Sequence, residues 1–136
     1  MNKIITSLLG AGLLAAALAP AAIAAAPVDP ATRDAHIQLT VSRTDGTPRS
    51  TGFVFLNCPG KPGKDHPHTA EACADLHAAN GNFYRLPGQD TAVCANETGP
   101  VTVTADGTYK GRPVHWERTF DNDCERQLAT GLVYEF

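Results

Sequence analysis

Four cysteines, Cys58, Cys73, Cys94 and Cys124, constrain this chain more than any other feature. They follow an apolar leader. Met1-Asn2-Lys3 opens onto an Ala- and Leu-rich run from Ile4 to Ala19, then Pro20, then Ala22-Ile23-Ala24, whose small residues suit signal peptidase. Residues 1–24 therefore read as a signal peptide cleaved after Ala24. A membrane anchor over Ile4–Ala26 is the rival reading, and the short charged start, Pro20 and the cleavage pattern favour a removable signal. An even set of cysteines in an exported chain implies two disulfides, and sequence alone leaves three pairings open. In the chain-entropy picture, closing a loop such as 58–73 contributes roughly 3 kcal/mol and one such as 94–124 nearer 4 kcal/mol. Zinc on Cys58, His66, His68 and Cys73 is the alternative, but Cys-x7-His-x-His-x4-Cys is not a zinc-site spacing. The expectation is no metal and no cofactor.

The staples are needed. Loss of residues 1–24 takes the chain from 136 residues to 112 and, since Lys3 is the one charged residue removed, the net charge from −3 to −4. A single domain of that size has a thin core. A mildly acidic chain with no basic cluster argues against nucleic acid and anionic membranes as partners.

Patterning gives mostly strands. Residues 25–35 read as a flexible arm and 36–136 as the domain. Ile37, Leu39 and Val41 alternate with polar residues, the mark of a half-buried strand, and a turn over Asp45-Gly46 and Pro48 leads to a second strand over Thr51–Asn57. Thr69–Ala79 reads as the one clear helix, Ala-rich and stopped by Asn80-Gly81. Cys73 and Leu76 share a face of it, so this helix can be stapled to the second strand through Cys58. Val101–Tyr109 and Val114–Phe120 form a hairpin turning near Lys110-Gly111-Arg112-Pro113, and Leu132–Phe136 reads as a final strand. The fold class expected is α+β, a five-stranded antiparallel sheet packed against helix.

Catalytic patterns are lacking. Ser42 and Ser50 sit in no Gly-x-Ser-x-Gly turn, the cysteines are committed to bridges, and neither a phosphate loop nor His-Glu-x-x-His occurs. His66 and His68 flank Pro67 in what reads as an exposed turn. His115 reads as a solvated sheet residue, and Asp121 and Asp123 as turn formers beside Cys124. The stretch with functional promise is Cys94-Ala95-Asn96-Glu97-Thr98-Gly99-Pro100. A cysteine clamps one end and Gly99-Pro100 forces extended backbone at the other, with no core-sized side chain between. It is a connector or something built to be gripped by another protein.

Three segments decide between these: His-Pro-His-Thr-Ala-Glu-Ala-Cys-Ala-Asp-Leu (66–76), Pro-Val-Thr-Val-Thr-Ala-Asp-Gly (100–107) and Glu-Arg-Thr-Phe-Asp-Asn-Asp-Cys (117–124), with cysteine intervals of 15, 21 and 30 residues. From Leu56 onward the chain resembles the Streptomyces subtilisin inhibitor family of secreted serine proteinase inhibitors. The resemblance implies a five-stranded antiparallel sheet with one main and one short helix, the pairs Cys58–Cys73 and Cys94–Cys124, and a homodimer formed through the sheets. It implies a subtilisin- or trypsin-like serine endopeptidase as partner and no enzymatic activity. It also puts the reactive bond at Asn96–Glu97, within a loop of Cys94, Ala95, Thr98, Gly99 and Pro100 supported from beneath by Asn122. The chain departs from the family at two loop positions, with Ala95 where proline is usual and Asn96 where Met, Lys or Arg is usual. Such a loop can therefore also belong to a non-inhibitory binding module on the same scaffold with a different partner. A small secreted hydrolase, the third reading, has only the scattered histidines behind it. Asn96-Glu97-Thr98 matches the glycosylation acceptor pattern as well.

Overall fold

The computed structural model describes residues 34–44, 50–60, 65–89, 93–95 and 99–136. The signal-peptide reading of residues 1–24, most of the arm, and the turn over Asp45-Gly46 and Pro48 lie outside them. Four antiparallel strands, β1 (Ala35–Arg43), β2 (Ser50–Cys58), β3 (Val101–Tyr109) and β4 (Arg112–Phe120), form one sheet in the order β2-β1-β3-β4. Ala35, the last residue of the segment read as an arm, already pairs with Cys58 and Tyr109. Two hairpin pairs are thus joined at the centre by β1 against β3, with Ile37 opposite both Leu56 and Gly107. The β3–β4 turn is Lys110-Gly111, both in the left-handed region with φ of 47° and 74°. That geometry matches the twist of the flanking strands and suits glycine at its second position.

Alternation along β1 sends Ile37, Leu39 and Val41 inward, where they are fully buried with Leu56, Val103 and Ala105. Trp116 and Phe120 add the aromatic end of this inner face. Two helices, α1 (Thr69–Ala78) and α2 (Asp123–Thr130), and two 3-10 turns (Phe83–Arg85 and Gly131–Tyr134) complete the domain. Ala72 and Leu76 of α1, with Phe83, Val133 and Tyr134, complete the single core against that face. The outer face carries short polar pairs such as Thr102–Thr119 and Asp106–His115, and Phe53 is 61% exposed there. Cys58 joins Cys73, which staples α1 to the end of β2, and Cys94 joins Cys124 at the start of α2.

Two expectations are corrected. Among the described residues the sheet has four strands, not five, because Leu132–Phe136 is not a strand. Gly131 turns the chain at φ 55°, and the carbonyls that a ladder would need are taken by side chains. His66 Nε2 donates to Val133 O at 2.9 Å and Arg126 Nη1 donates to Tyr134 O at 2.7 Å. Nor is His66 in an exposed turn, since only 1% of it is accessible. Its Nδ1 accepts from the His68 N–H at 3.0 Å, so both ring nitrogens are used by a neutral imidazole that packs on Phe136. Burial holds its pKa below the usual histidine value.

Candidate functional site

The described parts of the 94–100 stretch are exposed or half-buried and tied at both ends. Val93 is fully accessible, and Ala95 and Pro100 are exposed, with Cys94 half-buried between the first two. Asn96, Glu97 and Thr98 lie outside the described residues. The entering end hangs on Cys94–Cys124. The leaving end has two holds: Gly99 N–H donates to Asp121 O at 3.1 Å, and Pro100 O accepts from both Thr44 N–H (3.3 Å) and Thr44 Oγ1 (3.1 Å). Val101 then enters the sheet between Arg43 and Phe120. The approach to the loop is fixed too, because Gln89 N–H donates to Leu128 O at 3.1 Å. Gly88 makes that possible. Its φ is 58°, and a side chain on it would collide with the Leu128 carbonyl.

Two of the anchors, the Cys94–Cys124 bridge and the Gly99 bond to Asp121, meet at the start of α2, which local reading takes for a turn. Asn122 caps this helix: its backbone is extended and its Oδ1 accepts from Glu125 N–H at 2.9 Å. The signal available was Asn122-x-x-Glu125, a capping-box spacing ahead of a helical segment. Asn122 is 5% exposed and sits between the two holds, next to Asp121, which holds Gly99, and two residues before Cys124, which holds Cys94.

Asp123, the first helical residue, is placed where the helix dipole favours an anion. Arg126 Nε donates to its Oδ1 at 2.8 Å and Arg126 Nη2 to its Oδ2 at 3.2 Å. Arg43 Nη2, arriving from β1, donates to Oδ1 at 3.1 Å. The Arg126 hydrogen bond is the main reason that the Asp123 carboxyl titrates below its ordinary value, against the opposing effect of partial burial. Arg126 itself is 1% exposed, with a further ion pair to Glu135 at 3.6 Å. Nothing in the local sequence marks Arg126 or Arg43 for this role, because their partners are set by the tertiary fold.

The remaining candidates lie elsewhere. His68 is half-buried near the start of α1, and His115 is exposed and pairs with Asp106 at 2.9 Å. Among the described residues no group of His, Cys, Asp or Glu is arranged to hold a metal ion.

Residues 33–122 match the model of the subtilisin inhibitor-like family. The chain is 44% identical over 84 residues to the protease inhibitor SIL-V5 of Streptomyces luteoverticillatus, a span of 61% of this chain and 78% of that protein. To subtilisin inhibitor-like protein 5 of Streptomyces fradiae it is 38% identical over 100 residues, 72% of this chain and 94% of the relative. Among solved structures it is similar to Streptomyces caespitosus sermetstatin, crystallised in complex with Bacillus licheniformis subtilisin. The TM-score is 0.58 at 33% identity, over 74% of this chain and 97% of the other.

Proposed function

The chain belongs to the subtilisin inhibitor-like family, and from that premise we propose that it is a secreted inhibitor of serine endopeptidases that offers Asn96–Glu97 as a substrate-like bond. It is not an enzyme; the relatives it matches are named as inhibitors. The observation that carries the reading is a stretch entered through exposed Val93 and Ala95 and left through exposed Pro100, held at Cys94 on one side and at Gly99 and Pro100 on the other.

A proteinase grips its substrate as an extended strand. A loop already held in that form loses little conformational freedom on binding, so more of the contact energy is retained as affinity. Proteinase–inhibitor contacts bury about 1,600 Å² and are among the tightest known. Cys94–Cys124 adds a second property. If the bond from Asn96 to Glu97 is cut, the bridge keeps both new ends on one body, so the freed amine stays beside the acyl-enzyme. Re-ligation then competes with hydrolysis. In this reading Asn122 supports the loop from beneath, which its burial next to both holds favours. Residues 1–24 are the export signal. A second copy docks on the open sheet face to give a homodimer, supported by the exposed Phe53 and by Phe55 stacked on His36 at 5.5 Å.

The second reading is a binding module that has kept the scaffold and lost inhibition, and Ala95 and Asn96 favour it by weakening the loop's stiffness and its anchor. Titration of a panel of serine proteinases with the pure secreted protein separates the two. Stoichiometric loss of proteinase activity supports the inhibitor; digestion of the protein without loss of activity refutes it and leaves the module.

A further inference from the structure

The two ends of the loop stand on two posts, and Gly99 at the leaving end also donates to Asp121 O just ahead of α2. Cys94 is fixed to Cys124 in α2, and Pro100 is fixed to Thr44 just beyond β1. Besides the Gly99 backbone bond, one carboxylate joins the posts through side chains. Asp123 adjoins Cys124 in the chain and accepts from Arg43, which adjoins Thr44. Arg126 holds the same carboxylate from the other side through two hydrogen bonds, and its Nη1 reaches Tyr134 O. The Tyr134 hydroxyl then donates to Thr104 O at 2.8 Å, on the strand that starts at Val101 directly after Pro100. The contacts therefore form a closed ring: Pro100, Thr44 and Arg43, Asp123, Arg126, Tyr134, Thr104, and back along β3 to Pro100.

We infer that Arg43, Asp123 and Arg126 are positioning residues that fix the separation of the two loop ends, and so decide whether a proteinase meets an inhibitor or a substrate. The inference rests on the inhibitor reading above. A merely structural role would leave a different signature. The Arg43–Asp123 pair has side chains 31% and 48% exposed, and a pair so open to water adds little to global stability. Removing it should barely move the melting temperature while it loosens one post relative to the other. Arg126 is the stronger member because its guanidinium is almost wholly enclosed.

The test compares Arg43→Met, Arg43→Lys and Arg126→Met with wild type, and Arg112→Met serves as a control at the far end of the β3–β4 hairpin. Each is incubated with subtilisin, and the rate of nicking within residues 93–100 is followed by mass spectrometry beside the inhibition constant and the melting curve. Nicking should rise about threefold in Arg43→Met, within what a surface ion pair can supply. It should rise about ten- to thirtyfold in Arg126→Met, the range of coupled neighbours in one network. Arg43→Lys, which keeps the charge, should stay near wild type, and so should Arg112→Met. Unchanged nicking in both methionine variants, or cuts scattered along the chain in step with a lowered melting temperature, would overturn the assignment. If Arg126→Met does not fold, the Arg43 pair still decides it. If wild type proves to be no inhibitor, the proposed function falls, and the ratio of variant to wild-type nicking still judges the frame.

Discussion

Replacing Cys94 and Cys124 together by serine should turn this protein from an inhibitor into a substrate, by an argument that depends on where the two bridges lie. Cys58–Cys73 is wholly on the N-terminal side of the bond between residues 96 and 97, whereas Cys94–Cys124 crosses it. After a cut at that bond, the second bridge is the only covalent link between the pieces. Its sequence separation of 30 residues corresponds to about 4 kcal/mol of chain entropy, and the 15 residues of the other to about 3 kcal/mol. Against a typical total of about 5–15 kcal/mol, either loss leaves a folded population at 25 °C. At about 4–5 °C per kcal/mol, the 94–124 variant should melt roughly 15–20 °C lower. The two losses are therefore similar in stability and opposite in function. The Cys94→Ser/Cys124→Ser variant should be consumed by subtilisin with rapid recovery of enzyme activity, whereas Cys58→Ser/Cys73→Ser should still inhibit below its melting transition. The assay is residual subtilisin activity over hours, with intact mass measured in parallel and circular dichroism confirming the fold. Undiminished inhibition by the first variant would refute the tether argument.

Three further outcomes are expected. Asn96→Met should tighten subtilisin binding by about two to three powers of ten, because an apolar side chain regains about 1.5–3 kcal/mol and an unpaired amide is removed. Asn96→Lys should create trypsin inhibition and Glu125→Met should do neither; active-site titration checks all three. Asn122→Ala removes the cap bond to Glu125, at about 1 kcal/mol and roughly 4–5 °C in melting temperature, and should loosen inhibition as well if this side chain braces the loop. The buried His66 is neutral in the fold with its pKa lowered, so its contribution is complete above about pH 6.5 and is lost as pH falls from there towards the folded-state value, by up to about 1.4 kcal/mol per pH unit. Urea midpoints from pH 8 to 4 should show this slope, and His66→Gln, which takes no proton, should flatten it; an equal slope in both would exclude His66 as its source.

The parts of the fold legible in the sequence were those decided by neighbours along the chain. The sequence reading of a strand over Val101–Tyr109 coincides with β3, because the alternating run lies between Gly99-Pro100 and the Lys110-Gly111 turn. The helix start at Thr69 and the stop at Asn80-Gly81 are equally local; the Gly81 N–H closes the end on Leu76 O at 2.9 Å. The misreadings were decided at a distance. Leu132–Phe136 looks like a strand until His66 and Arg126 claim its carbonyls. His66 beside Pro67 looks solvated until Val133, 67 residues away, covers it. Asp121-Asn122-Asp123 has the composition of a turn and becomes a helix start because Asn122 can cap Glu125.

The same division runs through the site. Ala95 and Pro100 are exposed, so a change at Ala95 alters what a partner reads without touching the core, and in the proposed reading Asn96 is the side chain that the proteinase pocket takes. Asn122 and Arg126 are buried, and Asp123 is engaged by two arginines, so a change there alters the posts on which the loop stands. Substitutions on the loop should therefore move the choice of proteinase while leaving susceptibility to nicking near its starting value. Substitutions among the anchors should raise nicking for every proteinase tested and leave the order of preference among them intact. A panel of proteinases run against Asn96→Lys and Arg126→Met measures both quantities at once. A loop change that alone makes the protein a substrate, or an anchor change that alone reorders its targets, would refute this division of labour.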